Sequence, residues 1–447
     1  MGSSEAHALP HDDVIPVIIV GAGPVGLLLA LRLAQSNIRS IVLEQETTLG
    51  TAPRAIGYYG PVHNVFKEAG IYDQVAAEGM ASGGYVWRTL PTEDGKGTKT
   101  LGSILGLNIM SRPDSDGQYN ICSYSIQLAQ CRLAEIMLEE ATKTGLTEII
   151  WGHRVTGLSQ DEKGVTVTAV SGQGEARNFR SLYLAGCDGG KSNVRKLLGI
   201  SLAGHSWPER FIATDVLRTA SVVADPPVHF TVDPRYWAVV TPLEHVKPDT
   251  RGMWRYSMAV PAYEEADDGS RTVLTDKQVL EPSYVDSLLL RQLDGPRPSD
   301  HTVVRKSLYK MHQLLASTMH RGRCFLAGDA AHINNPIGGL GLCTGLLDAD
   351  ALHQTLEIVR RTIDPESVFS RYSAERRRVF QNIIHPFSSA NKTRLHSADP
   401  KDTAREDWYF QALRRGDAKE LEQIHAPLYD GWRTNMWDLL GASVKDA

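Results

Sequence analysis

Cysteine is scarce in this chain and badly spaced for crosslinking: five in 447 residues (Cys122, Cys131, Cys187, Cys324, Cys343), an odd count without pairs. That excludes a disulfide framework and a zinc knuckle, so no metal site is expected, and a reducing, cytoplasmic compartment fits best. An excess of positive charge is also missing. Lys and Arg total 47 against 52 Asp and Glu, a net charge of −5, which gives no electrostatic case for nucleic acid or an anionic membrane surface. Uninterrupted apolar runs of membrane length are absent too. The nearest, Val14 to Ala34, follows Asp12 and Asp13 rather than basic residues, and three glycines and Pro24 break it. A buried strand followed by a helix explains it better. There is no internal repeat and no low-complexity tract. What remains is 42% apolar and 22% charged, the composition of an ordinary globular protein able to bury large cores. Length alone suggests about three domains.

Val14 to Val20 is a β-branched run suited to a strand buried on both faces. Gly21-Ala22-Gly23-Pro24-Val25-Gly26 follows, then a helix over Leu27–Gln35 and a second strand over Ser40–Glu44. Ile126–Thr142 reads as an amphipathic helix, with strands near 148–159 and 164–170 around a turn at Asp161–Gly164. Ser181–Ala185 and Cys324–Ala327 are further buried strands, each ending in a Gly-Asp or Asp-Gly turn. From about 200 to 310 the runs alternate, as in Met253–Val260, which predicts a sheet with one covered face. Helices are expected at 345–361 and 367–383, and the tail carries charged helical sequence without a motif.

Gly21, Gly23 and Gly26 have the G-x-G-x-x-G spacing. The first permits a tight turn, the second lets a pyrophosphate approach the backbone, and the third lets helix and strand pack closely. Phosphate charge then meets free N–H groups at the helix N-terminus, where Pro24 stands. Glu44, eighteen residues beyond Gly26, can accept from both ribose hydroxyls of an adenine dinucleotide. FAD and NAD share this fingerprint.

Two later segments separate them: Asp188-Gly189-Gly190-Lys191-Ser192-Asn193-Val194-Arg195, and Gly328-Asp329-Ala330-Ala331-His332 with Pro336, Gly338, Gly339 and Gly341. With these three ordered motifs the chain resembles the class A, single-component flavoprotein monooxygenases. The stretches Asn335–Gly341 and Leu347–Asp350 look most like the fungal secondary-metabolite members. The resemblance implies a Rossmann-like FAD-binding domain, discontinuous over 1–75, 126–200 and 311–390. A β-rich substrate domain over 76–125 and 201–310 is inserted into it, and a helical tail spans 391–447. It implies that Asp329 binds FAD hydroxyls and that Pro336 to Leu342 passes beside the isoalloxazine. Asp188 and Arg195 would affect FAD and NAD(P)H chemistry alike. Arg54, in Pro53-Arg54-Ala55, would lie near the flavin, and Gln130 would contact FAD. Cys343 stands where the family often has Asn, and a small buried filler is the simpler reading of it.

The activity so implied consumes NAD(P)H and O₂ and oxygenates a phenolic or other electron-rich aromatic through a flavin C4a-hydroperoxide. Water must be kept out, and a base or cation is needed near the phenol. His205, Arg210, His229, Arg235, Tyr236 and Arg255 are candidates, with Arg54, Arg195 and Tyr236 taken as the catalytic set. The competing readings are an FAD oxidase, dehydrogenase or halogenase, and a non-catalytic flavin-binding protein. The Asp188–Arg195 motif favours the monooxygenase, no Trp-x-Trp-x-Ile element supports a halogenase, and the intact loop glycines and Asp329 oppose a non-catalytic protein. Asn391-Lys392-Thr393 matches a glycosylation acceptor by chance. Oligomeric state has no signal in the sequence.

Overall fold

The computed structural model describes residues 15–52, 54–82, 84–95, 97–105, 125–219, 227–266, 268–295, 297–362, 364–396 and 399–441. Pro53, Cys122 and residues 1–14 lie outside the described residues, as does 106–124, part of the expected substrate domain.

Two eight-stranded sheets organise the chain. The first has a parallel set in the spatial order Cys324–Leu326, Ala176–Gly186, Ile15–Val20, Ser40–Leu43, Thr147–Ile150. Its central strand is buried, as an all-parallel sheet covered on both faces requires. Helix Pro24–Gln35 packs Leu27, Leu28 and Leu29 into the core, and helix Leu340–Ile358 packs against it with almost every residue buried. The strand expected near 148–159 is two strands. Thr147–Ile150 joins the parallel set, Gly152 turns the chain at φ +69°, and His153–Asp161 pairs with Gly164–Ser171 in an antiparallel meander. Only glycine takes that turn without strain.

The second sheet is largely antiparallel and is built around the long strands Leu202–Thr219, His301–Ala316 and Arg251–Val260. Alternation along it was expected to leave one face uncovered, but both are covered. Phe211, Phe230, Trp237 and Trp87 point one way, against the tail helix Trp408–Arg415. Ile212, Val216, Trp254 and Met258 point the other way, against helix Pro282–Gln292. The tail therefore forms a wall rather than an appendage. Gly102 lies so near Leu413 that a β-carbon there would sit 2.8 Å from the leucine Cδ1.

The end of the tail is tied to helix Leu340–Ile358. Arg376 joins Asp348 at 2.6 Å and donates to Trp432 O and Thr434 Oγ1, while Arg433 joins Asp350 at 3.0 Å and Glu68 at 2.6 Å. No helix among the described residues is long and apolar enough to cross a membrane.

Candidate active site

The glycine loop after the first strand has the shape that a pyrophosphate needs. Gly21 has φ +104°, and a β-carbon on it would sit 2.6 Å from Cys187 O. A β-carbon on Gly26 would collide with Gly21 O. At Gly23 nothing lies within 4 Å of that position, so the backbone there is open to a ligand at the N-terminus of helix Pro24–Gln35. Glu44 is held over the loop, its Oε2 accepting from Ala22 N at 2.7 Å and its Oε1 from Glu46 N at 2.9 Å.

Asp329 is exposed to solvent yet closely surrounded by protein. This desolvation raises its carboxyl above the usual range, with His332 and Arg54 opposing. An accessible, desolvated carboxylate with a cation nearby suits the hydroxyls of a bound FAD. Asp348 fixes the turn that carries it: its Oδ2 accepts from Gly328 N at 3.0 Å and from His332 Nε2 at 2.6 Å. Burial works to raise the Asp348 carboxyl, but His332 and Arg376 together hold it below its ordinary value. In the sequence His332 and Asp348 stand inside motifs that do not show their partnership, and Arg376 carries no signal at all.

Gln130 and the Arg54 segment come together: Gln130 Oε1 accepts from Ala55 N at 3.3 Å, and Gln130 N donates to Ala55 O at 3.0 Å. Arg54 is exposed, and its carbonyl accepts from Arg255, which also pairs with Asp215 at 2.8 Å. In the loop Pro336–Leu342, Gly338 (φ +99°) and Gly339 (φ +67°) take conformations open to glycine, and Tyr59 donates to Gly338 O at 2.5 Å. Gly341 packs against Asn334 and Leu342 is half-buried. Cys343 is a buried filler, its thiol directed at Gly57 O and pushed up to about 12 by burial.

Other expected site residues are engaged elsewhere. Asp188 accepts from Ser192 Oγ at 2.5 Å and from Asn193 N and Val194 N, which caps the helix Asn193–Leu197. Arg195 is buried and donates to Ala330 O at 2.9 Å and Gly190 O at 3.0 Å, clamping the Asp329 turn from behind rather than facing a substrate. Tyr236 is on the far side of the second sheet, its ring under the Arg291 and Arg235 guanidiniums at 4.2 and 5.6 Å. Its neighbour Trp237, at the end of the turn that leads into the strand Ala238–Pro242, packs on the near side instead. Arg210 and Arg235 pair with Asp276 and with Glu264 and Glu265, His205 packs on Trp207 and His385, and His229 stacks on Trp254.

A cavity of about 270 Å³ opens beside Gly338 and Leu340. Its walls are aromatic: Tyr59, Tyr85, Trp87 and Phe230 on one side, Trp408 and Tyr409 on the other. Within it, His425 places Nδ1 at 2.8 Å from Leu421 O and Nε2 at 3.3 Å from the Tyr409 hydroxyl. A carbonyl only accepts, so Nδ1 carries the proton and Nε2 accepts from Tyr409. Burial pushes the imidazole down to about 4, aided by Arg394, so it is neutral at ordinary pH. Trp408, Tyr409 and His425 come from the tail, which sequence reasoning left without a role.

The FAD binding domain family matches residues 14–386. Para-nitrophenol 4-monooxygenase from Pseudomonas sp. (strain WBC-3) is 32% identical over 416 residues, covering 92% of this chain and 96% of the relative. 6-Hydroxy-3-succinoylpyridine 3-monooxygenase HspB from Pseudomonas putida is 29% identical over 414 residues, covering 92% of this chain and 96% of the relative. The crystal structure of p-nitrophenol 4-monooxygenase PnpA from Pseudomonas putida DLL-E4 superposes with a TM-score of 0.80 at 31% identity, covering 94% of this chain and 99% of that one. A cradle open at Gly23, an accessible Asp329 and a cavity beside the glycine loop thus occur in a chain similar over nearly its whole length to oxygen-inserting enzymes. The chain belongs to the FAD-binding family of class A flavoprotein monooxygenases and is an FAD-dependent monooxygenase.

Proposed function

We propose that this enzyme oxygenates a small phenol or other electron-rich aromatic, with NAD(P)H as transient reductant and O₂ as co-substrate. The observation that carries this reading is the aromatic-walled cavity reaching Gly338 and Leu340. Its size, just under the usual range for ligand pockets, suits one or two rings. The similarity to para-nitrophenol 4-monooxygenase supports the same class of substrate.

Bound FAD supplies the reduction and oxygen-activating chemistry, and this chain's residues do the rest. Gly21, Gly23, Pro24, Gly26 and Glu44 hold the adenosine and pyrophosphate portion, and Asp329, Gln130 and the Pro336–Leu342 loop hold the flavin portion. Asp188 and Arg195 are positioning residues, Asp188 capping the helix that carries Arg195 and Arg195 holding the Asp329 turn, and Arg54 stands near Asp329. The apolar walls exclude water. Because Tyr409 donates its hydroxyl hydrogen to neutral His425, its oxygen lone pairs are left to accept the substrate's O–H, which orients the phenol in the cavity. The segments 1–75, 126–200 and 311–390 form the cofactor-binding domain of this scheme, with 76–125 and 201–310 on the substrate side. The tail 391–447 closes the cavity, and few, reduced cysteines suit the cytoplasm. The fungal secondary-metabolite subtype rests on the Asn335–Gly341 and Leu347–Asp350 stretches, while the two enzymes named from sequence are bacterial.

The test is NAD(P)H oxidation by the FAD-loaded enzyme across a panel of phenols. The expected result is that one or more phenols accelerate it severalfold; equal rates with and without every phenol would remove the cavity's assignment.

A further inference from the structure

The charge inventory of the cavity is short. Among its described lining residues Arg394 is the one cation, His425 is neutral, and no lining residue is acidic. Arg394 is not available to a ligand's anionic group in the ordinary way. Its Nε faces both carboxylate oxygens of Asp407, at 3.2 and 3.1 Å, and its Nη1 donates to Asn391 Oδ1 at 3.3 Å. The guanidinium also lies over the Tyr409 ring at 4.5 Å and the Trp408 ring at 5.4 Å. The pair is largely shielded, with the Arg394 side chain 9% and the Asp407 side chain 22% exposed.

Asp407 is itself fixed, because its Oδ1 caps the helix that carries Tyr409, accepting from Tyr409 N at 2.8 Å and Phe410 N at 3.3 Å. One carboxylate therefore both starts the wall helix and neutralises the one charged group among the described wall residues. A second carboxylate brought in by a substrate would lose its hydration, meet no spare cation among the described lining residues, and lie near Asp407. Burying a charge on those terms is strongly unfavourable. A nitro group has the same planar shape and two oxygens but no net charge, and meets none of this opposition.

Building on the phenol reading above, we infer that Asp407 is a specificity-determining residue: by holding Arg394 it closes the cavity to phenols bearing a carboxylate and leaves it open to uncharged ones of equal size. The discrimination is made at binding, before any chemistry.

The test uses the FAD-loaded enzyme at pH 6 without reductant, and measures dissociation constants for 4-nitrophenol and 4-hydroxybenzoate by calorimetry and by flavin absorbance. At that pH the two differ chiefly in the charge of the para group. The wild type is expected to prefer 4-nitrophenol by at least about tenfold, the low end for a charged hydrogen-bonding group left without its partner. In Asp407→Asn, whose amide oxygen can keep the helix cap, that preference should shrink at least about tenfold. In Arg394→Gln, which leaves Asp407 uncompensated, it should widen or stay. Equal affinities in the wild type, or an unchanged ratio in a folded Asp407→Asn variant, would overturn the assignment of Asp407. Binding of neither compound, nor of other uncharged phenols, would instead overturn the phenol reading on which it rests.

Discussion

Arg376 and Asp348 meet at 2.6 Å with neither side chain exposed to solvent. The pair does two jobs at once: Asp348 holds Gly328 and His332 on either side of Asp329, and Arg376 holds Trp432 and Thr434 of the tail. The cofactor turn and the cavity wall are thus anchored by one ion pair. Replacing Arg376 by Met strands a buried carboxylate, for which a loss of about 3–5 kcal/mol is expected. Denaturant unfolding checks this, and a loss below about 1 kcal/mol would contradict the anchoring role.

Asp329→Ala removes an accessible carboxylate without opening a core. FAD affinity should fall about tenfold to a hundredfold, the range for a hydrogen bond to a charged group, while the apo-protein melts within a few degrees of the wild type. Equilibrium dialysis against FAD reads the first and calorimetry the second. Unchanged flavin retention would remove the assigned role.

Two glycines of one loop should behave differently. Gly23→Ala adds a methyl group into open space at φ −74°, so the apo-protein should keep its stability while FAD binding weakens. Gly26→Ala drives a methyl group into Gly21 O, so folding and flavin content should both suffer. Comparing melting temperature with bound flavin in the two variants decides the matter. Equal behaviour would mean that the loop does not face the pyrophosphate.

His425 gives a pH dependence with a definite sign. Its folded pKa of about 4 lies below the ordinary 6.5, so the unfolded chain takes up a proton that the folded one refuses as pH falls. Its contribution is complete above 6.5 and is lost progressively between 6.5 and about 4. A His425→Gln variant should therefore lose less stability than the wild type between pH 6.5 and 5, by about 2 kcal/mol at 1.36 kcal/mol per pH unit. Parallel urea-unfolding curves measure this, and identical acid slopes would show that His425 is not held neutral by burial.

The residues that were legible in the sequence are those with local constraints. Gly21, Gly23 and Gly26 are dictated by a turn and a close helix packing within six residues, and the strands 15–20 and 40–43 by their own β-branched runs. The turn that carries Asp329 is marked in the same way by a local feature, Gly328 before it. The cavity was not. Its walls bring Tyr59 and Tyr85 to Tyr409 and His425 across more than three hundred residues, and no periodicity announces that meeting. Tyr236 and Trp237 are neighbours that pack on opposite sides of the second sheet, and their residue types do not say which side holds a cavity. For Asp188 and Arg195 the motif does not show their protein partners, because a cap and a clamp use the same residue types as a ligand site.

Oxygen insertion into a phenol is tested most directly by the mass of the product formed from NAD(P)H and a phenol under heavy-isotope O₂. One heavy oxygen atom in the product, equimolar with the nucleotide oxidised, is the predicted result. A phenol that is recovered unchanged, or oxidised without heavy oxygen, while the reductant is consumed would contradict it.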